Sequence, residues 1–307
     1  MPPDPDMAAH ALEAAVDELR TVQDLVRFGV SRLRGAGVFF GHGFVDARAE
    51  AAYLVQWALG LPPGSIDDFS AARVLRTERR TALELLERRA AERLPAPYLT
   101  HEAWLGQFAF YVDERVLIPR SFIADLLLER LEPWVSDPEG VRTGLDLCTG
   151  SGCLAVMMAH AFPDARIDAV DLSPDALTVA RRNVDDYGLA DRVALRQSDL
   201  LEGLADSIYD VIVCNPPYVN GESMATLPAE YRHEPAMALA GGEDGLDLVH
   251  RLLAGAAQHL SPDGILVVEI GHNRTQLEAA YPKVPFTWLE THAGDEFVFV
   301  LTREQLP

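Results

Sequence analysis

One stretch limits what this chain can fold into more than any other: Val211-Ile-Val-Cys-Asn-Pro-Pro-Tyr218. It opens as a short apolar run with the β-branched composition of a buried strand, and it ends in an amide, two prolines and an aromatic ring. Neither proline has an N–H to give a neighbouring strand, and the residue before each proline is pushed toward extended backbone. The strand must therefore stop there, and the loop beyond it is stiff. Open α/β sheets hold ligands and chemistry at such carboxyl ends of buried strands. Asn215 brings one acceptor and two donors, the Asn215 and Pro216 carbonyls add acceptors, Pro217 stiffens the turn, and Tyr218 is a flat wall with a polar tip. This set suits gripping an NH2 group that lies in a plane.

The sequence around that strand repeats one theme. Thr143 to Leu147, Arg166 to Val170, Val193 to Gln197, Tyr209 to Cys214 and Ile265 to Ile270 are predicted strands. Ser151 to Phe162, Pro174 to Tyr187 and Leu246 to His259 are predicted helices between them. The alternation implies a mostly parallel sheet with helices on both faces, which Phe286 to Leu289 and Phe297 to Leu301 could close as a final hairpin.

The first 95 residues read differently. From Met7, the positions Leu12, Val16, Leu19, Val22, Val26, Val30 and Leu33 step by three or four, as on an amphipathic helix that Thr21 and Asp24 can break with a capping box. Asp46 can cap a helix over Ala47 to Leu59, and Leu83, Leu86, Ala90 and Leu94 mark another, closed by Pro95. The arginines and glutamates interleaved on that last helix, Arg79 and Arg89 among them, read as a solvated face. Phe108 to Val112 and Arg115 to Ile118, separated by Asp113-Glu114, read as a β-hairpin joining two domains. The expected organisation is a flexible tail with a first helix over 1–20, a helical domain over 21–95, a hairpin linker over 96–120 and the sheet domain over 121–307.

Asp146-Leu-Cys-Thr-Gly-Ser-Gly152 follows the first sheet strand and opens a helix. Gly150 and Gly152 permit a tight turn in which backbone approaches a ligand, with the amino end of the next helix facing it. Asp171 lies 21 residues past Gly150, at the spacing where a carboxylate takes ribose hydroxyls. The segment lacks the GxGxxG of dinucleotide folds, since Cys153-Leu-Ala155 follows Gly152. Asp146 would repel a pyrophosphate but can serve a cationic ligand, such as the amino group or sulfonium of S-adenosylmethionine. Together these residues describe a nucleoside site.

Composition narrows the partners. The net charge of -21 repels nucleic acid unless a local basic face overrides it, and it reads as solubility or as steering toward a strongly basic protein. No apolar run is long enough to span a bilayer, and the opening residues lack the basic and apolar regions of a secretory signal. Cys148, Cys153 and Cys214 have no CxxC spacing, so disulfides and zinc are not expected, and the chain reads as a protein of the reducing cytoplasm.

Asp-x-x-x-Gly-x-Gly from Asp146, then Asp171, then Ser198-Asp199-Leu200, then Asn215-Pro-Pro-Tyr218 resembles the class I S-adenosylmethionine-dependent methyltransferases that modify amino groups on planar systems. With the helical leader and Val116-Leu-Ile-Pro-Arg120, the chain is similar to the HemK-like glutamine N(5)-methyltransferases of the translation apparatus. His101-Glu-Ala-Trp-Leu105, Phe110-Tyr-Val-Asp-Glu-Arg-Val116, Glu230-Tyr-Arg-His-Glu-Pro235 and Pro285-Phe-Thr-Trp-Leu-Glu290 resemble the branch that acts on large-subunit ribosomal protein L-three. Ser121-Phe-Ile stands where the release-factor branch carries Pro and acidic residues, and Ala124-Asp125 departs from the pattern at a position expected to be acidic.

The resemblance implies a Rossmann-like, mostly parallel sheet with a terminal hairpin and a small N-terminal helical domain that recognises the protein substrate. It implies that Cys148, Thr149, Gly150, Ser151 and Gly152 wrap the methionyl end of S-adenosylmethionine, Asp171 the ribose, and Asp199 with Leu200 the adenine edge. Asn215 and the Pro216 carbonyl would hold a glutamine amide with Tyr218 beside it, and Pro119 and Arg120 would lie near the cofactor. A structural role for Arg120, tying the hairpin to the sheet, competes with that reading. A DNA amino-methyltransferase, a release-factor methyltransferase and a non-catalytic ribosome-assembly factor are the alternatives. No metal is needed by any of these roles.

Overall fold

The structure, a computed structural model, describes residues 5–204 and 207–307, with side chains from Ala11 onward. The chain forms two compact units: one runs up to His101 and adds Pro228–His233, and the other comprises Glu102–Leu227 and Glu234–Pro307.

The first unit holds α1 (Pro5–Glu18), α2 (Val22–Gly35), α3 (Ala47–Ala58), α4 (Arg76–Glu92) and the short α5 (Ala96–Thr100). Thr21 opens α2 with the expected capping box: its hydroxyl accepts the Asp24 N–H while the Asp24 carboxylate accepts the Thr21 N–H. Asp46 caps α3 by accepting the Arg48 and Ala49 N–H groups. Leu25, Leu33, Leu54, Leu83 and Leu86 are fully buried between the helices. Gly29 lets α2 approach α3 and α4, because a Cβ there would come within 2.8 Å of Leu86 and 2.9 Å of Ala51. Val16 of α1 is buried in the same core, so the first helix expected within 1–20 packs into the unit; residues 1–4, at the start of the expected tail, lie outside the described residues.

The charge pattern of α4 misleads. Arg89 is 1% exposed, and its guanidinium meets the Glu50 carboxylate, Glu230 Oε1 at 3.2 Å and the Phe39 carbonyl at 2.9 Å. Arg93, in the left-handed conformation just past the helix, donates to Glu230 at 2.6 Å and to the Ala36 and Gly37 carbonyls. Arg79 is buried too and donates to the Leu19 carbonyl. These arginines face inward because their acidic and carbonyl partners come from α3, the α1–α2 and α2–α3 loops and a segment far along the chain, none of which the helix's own periodicity reveals.

The second unit begins with a hairpin, β1 (Ala103–Leu105) and β2 (Phe108–Phe110), followed by α6 (Ile123–Leu128), β3 (Thr143–Leu147), α7 (Cys153–Ala161), β4 (Arg166–Asp171), α8 (Pro174–Asp186), β5 (Val193–Gln197) and β6 (Tyr209–Cys214). It continues with α9 (Gly221–Thr226), α10 (Asp247–Gly255), β7 (Leu260–Glu269), α11 (Arg274–Ala280), β8 (Thr287–Trp288) and β9 (Val298–Thr302). The hairpin lies one strand earlier than expected. Gly106, at φ +58°, makes its turn, whereas the chain from Asp113 to Ile118 forms no strand. There, backbone groups bond side chains instead of a partner strand: Asp113 accepts the Arg115 N–H, and Glu234 accepts the Ile118 N–H.

The seven-stranded sheet has the order β5-β4-β3-β6-β7-β9-β8, parallel from β5 to β7, with β9 antiparallel to β7 and to β8. Val211 and Val213 of β6 face one core with Met158, Phe162 and Val267, while Ile212 and Cys214 face the other with Leu252, Leu253 and Leu266. Both faces of a parallel sheet are covered, so its strands read as unbroken apolar runs. From β3 the chain moves outward through β4 and β5, then returns to place β6 on the other side of β3. The direction of winding thus switches between β3 and β6, and a crevice opens at their carboxyl ends. Among the described residues no helix is long and apolar enough to cross a membrane, and no cluster of side chains could hold a metal ion.

Candidate active site

A cavity of about 370 Å³ occupies that crevice, in the size range of small-molecule sites. Its walls come from the ends of four neighbouring strands: Cys148 and Gly150 after β3, Asp171 and Leu172 at β4, Asp199 and Leu200 after β5, and Asn215 and Pro217 after β6. The strand order alone brings these segments together, although they are spread over some 70 positions.

The glycine loop is braced from behind. Asp171 Oδ2 accepts the Gly150 N–H at 2.9 Å, while Oδ1 accepts the Ser173 N–H at 2.9 Å. Burial raises the Asp171 carboxyl above the usual range, and the N–H groups of Ser173, Gly150 and Leu172 pull against it. Gly150 has φ +54°, and a Cβ on it would meet nothing nearer than the Cys148 carbonyl at 4.0 Å, so a side chain there would project into open space at the cavity wall. Gly152 serves packing instead: at φ +80° it lets α7 start against α8, with Ala180 only 3.1 Å from where its Cβ would stand. Ser151 and Thr149 are buried, the Ser151 carbonyl accepting from Asn183 Nδ2 at 2.8 Å.

Asp146 is fully buried and is not among the residues lining the cavity. Its Oδ2 accepts from the Thr149 hydroxyl and the Ala155 N–H, and Oδ1 has no partner. Burial, helped by the nearby Asp171 charge, pushes its carboxyl up to about 7. The carboxylate expected to meet a cationic ligand instead braces Thr149 of the glycine loop and the first turn of α7. Pro119 and Arg120 are not at the cavity wall either; Arg120 forms a two-pronged ion pair with Glu234, at 2.6 and 2.8 Å, which ties its segment to the stretch between β6 and α10 and not the hairpin to the sheet. The segment Glu114 to Leu117 lines the cavity in their place.

Asn215 and Pro217 face the cavity, whereas Pro216 and Tyr218 do not line it. Tyr218 donates its hydroxyl to Glu269 at 3.2 Å, and its carbonyl accepts from Asn273 Nδ2 at 2.8 Å. Asp199 faces the cavity while paired with Arg251 at 2.9 Å. Sequence reasoning missed Glu234, Glu269 and Leu172. Glu269 did leave a signal, a lone carboxylate inside the apolar run Ile265 to Ile270.

The residues present fit S-adenosylmethionine: carboxylates, Asp171 and Asp199 among them, for hydroxyl and amino groups, apolar walls at Leu117, Leu172 and Leu200, and backbone without a side chain at Gly150. Comparison with known proteins agrees. The family model described as methyltransferase small domain matches residues 123–231. The ribosomal protein uL3 glutamine methyltransferase of Neisseria meningitidis serogroup B is 58% identical over 292 residues, covering 95% of this chain and 96% of that one. This chain belongs to the uL3 glutamine methyltransferase family. The enzymes of that name from Bordetella pertussis, 58% identical over 94% of this chain and 97% of theirs, and Burkholderia pseudomallei, 53% identical over 94% and 96%, are similar as well. The methyltransferase uses S-adenosylmethionine as its methyl donor. The resemblance carried by Asp146 to Gly152, Asp171 and Asn215 to Tyr218 is borne out, as is the mostly parallel sheet with its terminal hairpin and helical leader.

Proposed function

We propose that this methyltransferase transfers a methyl group to the side-chain amide nitrogen of a glutamine in ribosomal protein uL3, the L-three protein of the large subunit. The observation that carries the reading is near-full-length identity above half with enzymes so named, joined to an Asn-Pro-Pro-Tyr strand end at the cavity. When bound, S-adenosylmethionine supplies an electrophilic methyl carbon. Asp171 and Asp199, which line the cavity, would accept hydrogen bonds from its hydroxyl or amino groups, with Gly150 leaving room beside them.

An amide nitrogen is a weak nucleophile because its lone pair is delocalised into the carbonyl. Asn215 Oδ1 and the Pro216 carbonyl together can accept both amide hydrogens, which fixes the plane of the amide and turns the nitrogen's remaining face toward the methyl. Alignment does most of the work: effective molarities of roughly 10⁵ M correspond to about 7 kcal/mol of barrier. No strong base is then needed before transfer, since the methylated nitrogen is acidic and sheds its proton afterward.

The test is to offer purified uL3 and, separately, a peptide-chain release factor to the full chain with methyl-labelled S-adenosylmethionine, and to map the product by mass spectrometry. Label is expected on a glutamine of uL3, and label on the release factor alone overturns the reading. Asn215→Ala should bind the cofactor in calorimetry with near-normal affinity yet lose about 10²-fold or more in turnover, the cost of a misplaced reacting group. Near-normal turnover in that variant removes Asn215 from its role.

A further inference from the structure

We propose that Glu269 is a positioning residue for methyl transfer, acting with Gly271 and Asn273 as a clamp that sets the orientation of Tyr218 in the Asn-Pro-Pro-Tyr loop. The inference rests on the reading of that loop as the amide grip. Three groups at the end of β7 converge on one residue. Glu269 Oε1 accepts the Tyr218 hydroxyl at 3.2 Å, and Asn273 Nδ2 donates to the Tyr218 carbonyl at 2.8 Å. Gly271 lies against the ring itself, where a Cβ would come within 2.7 Å of two ring carbons. A hydroxyl, a ring face and a carbonyl held from one segment fix both the side chain and the backbone of Tyr218. That backbone continues directly from Asn215 and Pro216, whose oxygens must point at the amide.

The carboxylate is poorly explained by stability alone. Glu269 is fully buried, and its other oxygen accepts from the Ser121 hydroxyl at 2.7 Å and the Phe122 N–H at 2.8 Å. Three donors converge on it, and only an ionised carboxylate accepts from all of them without presenting a donor of its own. A buried charge must be matched by such hydrogen bonds merely to break even, and apolar replacements of similar shape are often as stable or more so. The neighbouring strand positions are apolar: Ile265, Leu266, Val267 and Val268 are all buried. What a carboxylate supplies here and a leucine could not is a fixed anchor for the Tyr218 hydroxyl. A glutamine at 269 would keep its Oε1 on the Ser121 and Phe122 donors and turn its NH2 to the Tyr218 oxygen, so the hydroxyl would accept where it now donates, its proton would lose the carboxylate that aims it, and the ring would be less firmly oriented.

The test uses the full chain carrying 3-fluorotyrosine at position 218 alone, read by fluorine NMR, together with steady-state kinetics on uL3. The parent protein should give one sharp fluorine line, and Glu269→Gln should shift and broaden it. Glu269→Gln should also lower kcat by about tenfold to a hundredfold while KM for cofactor and protein stays within about threefold. Tyr218→Phe should lower kcat similarly, and the double variant should lose no more than the worse single one, as expected of residues acting together. An unmoved fluorine line in Glu269→Gln, or losses that multiply in the double variant, overturns the proposal. If Glu269→Gln does not fold, Tyr218→Phe decides: reduced kcat supports the clamp and unchanged kcat overturns it. Should the parent protein fail to methylate uL3, the proposed substrate falls, and the fluorine line still judges the clamp.

Discussion

At the scale of single residues, Asp146 has a consequence that can be measured without substrate. Its carboxyl has no exposed surface, one of its oxygens has no partner, and burial lifts it to about 7, far above an ordinary aspartate at about 3.9. A group protonated more readily in the folded than in the unfolded chain adds stability that is fully present below its unfolded pKa and is lost as pH rises through its folded one. Asp146 therefore works against stability progressively between about pH 4 and about pH 7. Asp146→Asn keeps an acceptor for Thr149 and Ala155 and cannot ionise, so its urea midpoint should fall less across that window than the parent's. Parallel pH profiles would show that Asp146 does not titrate there. Two other carboxylates act in the opposite sense at lower pH. The Arg115 hydrogen bonds hold Asp113 at about 2, and at Glu230 the desolvation that would raise it is outweighed by Arg93, the Phe39 N–H and Arg89, which hold it at about 2. Both contribute stability above their unfolded values that is lost as the solution is acidified toward pH 2. Asp171, Asp199 and Asn215 were legible as cavity residues because their chemistry and spacing repeat a known arrangement. Glu269 was not, because its role comes from what crosses over to meet it.

At the scale of elements, helix boundaries followed from caps and breakers, and most strand boundaries from apolar runs, because both are set by residues within a few positions. Strand β7 differs, starting at Leu260, five residues before the apolar run expected to begin it, through the polar stretch Ser261 to Gly264. The α2 capping box and the Asp46 cap lie where local chemistry puts them. The hairpin was misplaced because two apolar stretches flanking Asp113-Glu114 look like paired strands, while the residues that occupy their backbone groups, Glu234 and Asn183, lie far along the chain. Helix α4 gives the sharpest element-level prediction. Arg89 sits between two buried carboxylates, and removing one partner of a buried ion pair leaves an uncompensated charge that costs about 3–5 kcal/mol. Arg89→Met should lower the stability of the helical unit by about that amount, read by equilibrium denaturation followed by far-UV ellipticity. A loss below about 1 kcal/mol would place Arg89 with ordinary surface pairs.

At the scale of the whole molecule, the net charge of -21 bears on partners more than on fold. The methyltransferase should not retard duplex DNA in a gel mobility assay even at low salt, whereas a basic protein substrate should associate faster as salt is lowered. Retardation that weakens steeply with salt would reveal a basic face strong enough to override the overall charge. The fold class, the alternation of the central strands and helices from Thr143 to Cys214, the glycine loop and the strand end at Asn215 were determined by sequence alone. Each depends on hydrophobic period, turn residues or short spacing, which are properties of neighbouring positions. Only the tertiary structure decided that Asp146 builds the loop from behind, that Arg120 belongs to Glu234, that Pro228–His233 joins the helical unit, and that Glu269 holds Tyr218. Those facts depend on which carboxylate meets which donor across distant stretches of chain, and such meetings exist only once the strands have taken their places in the sheet.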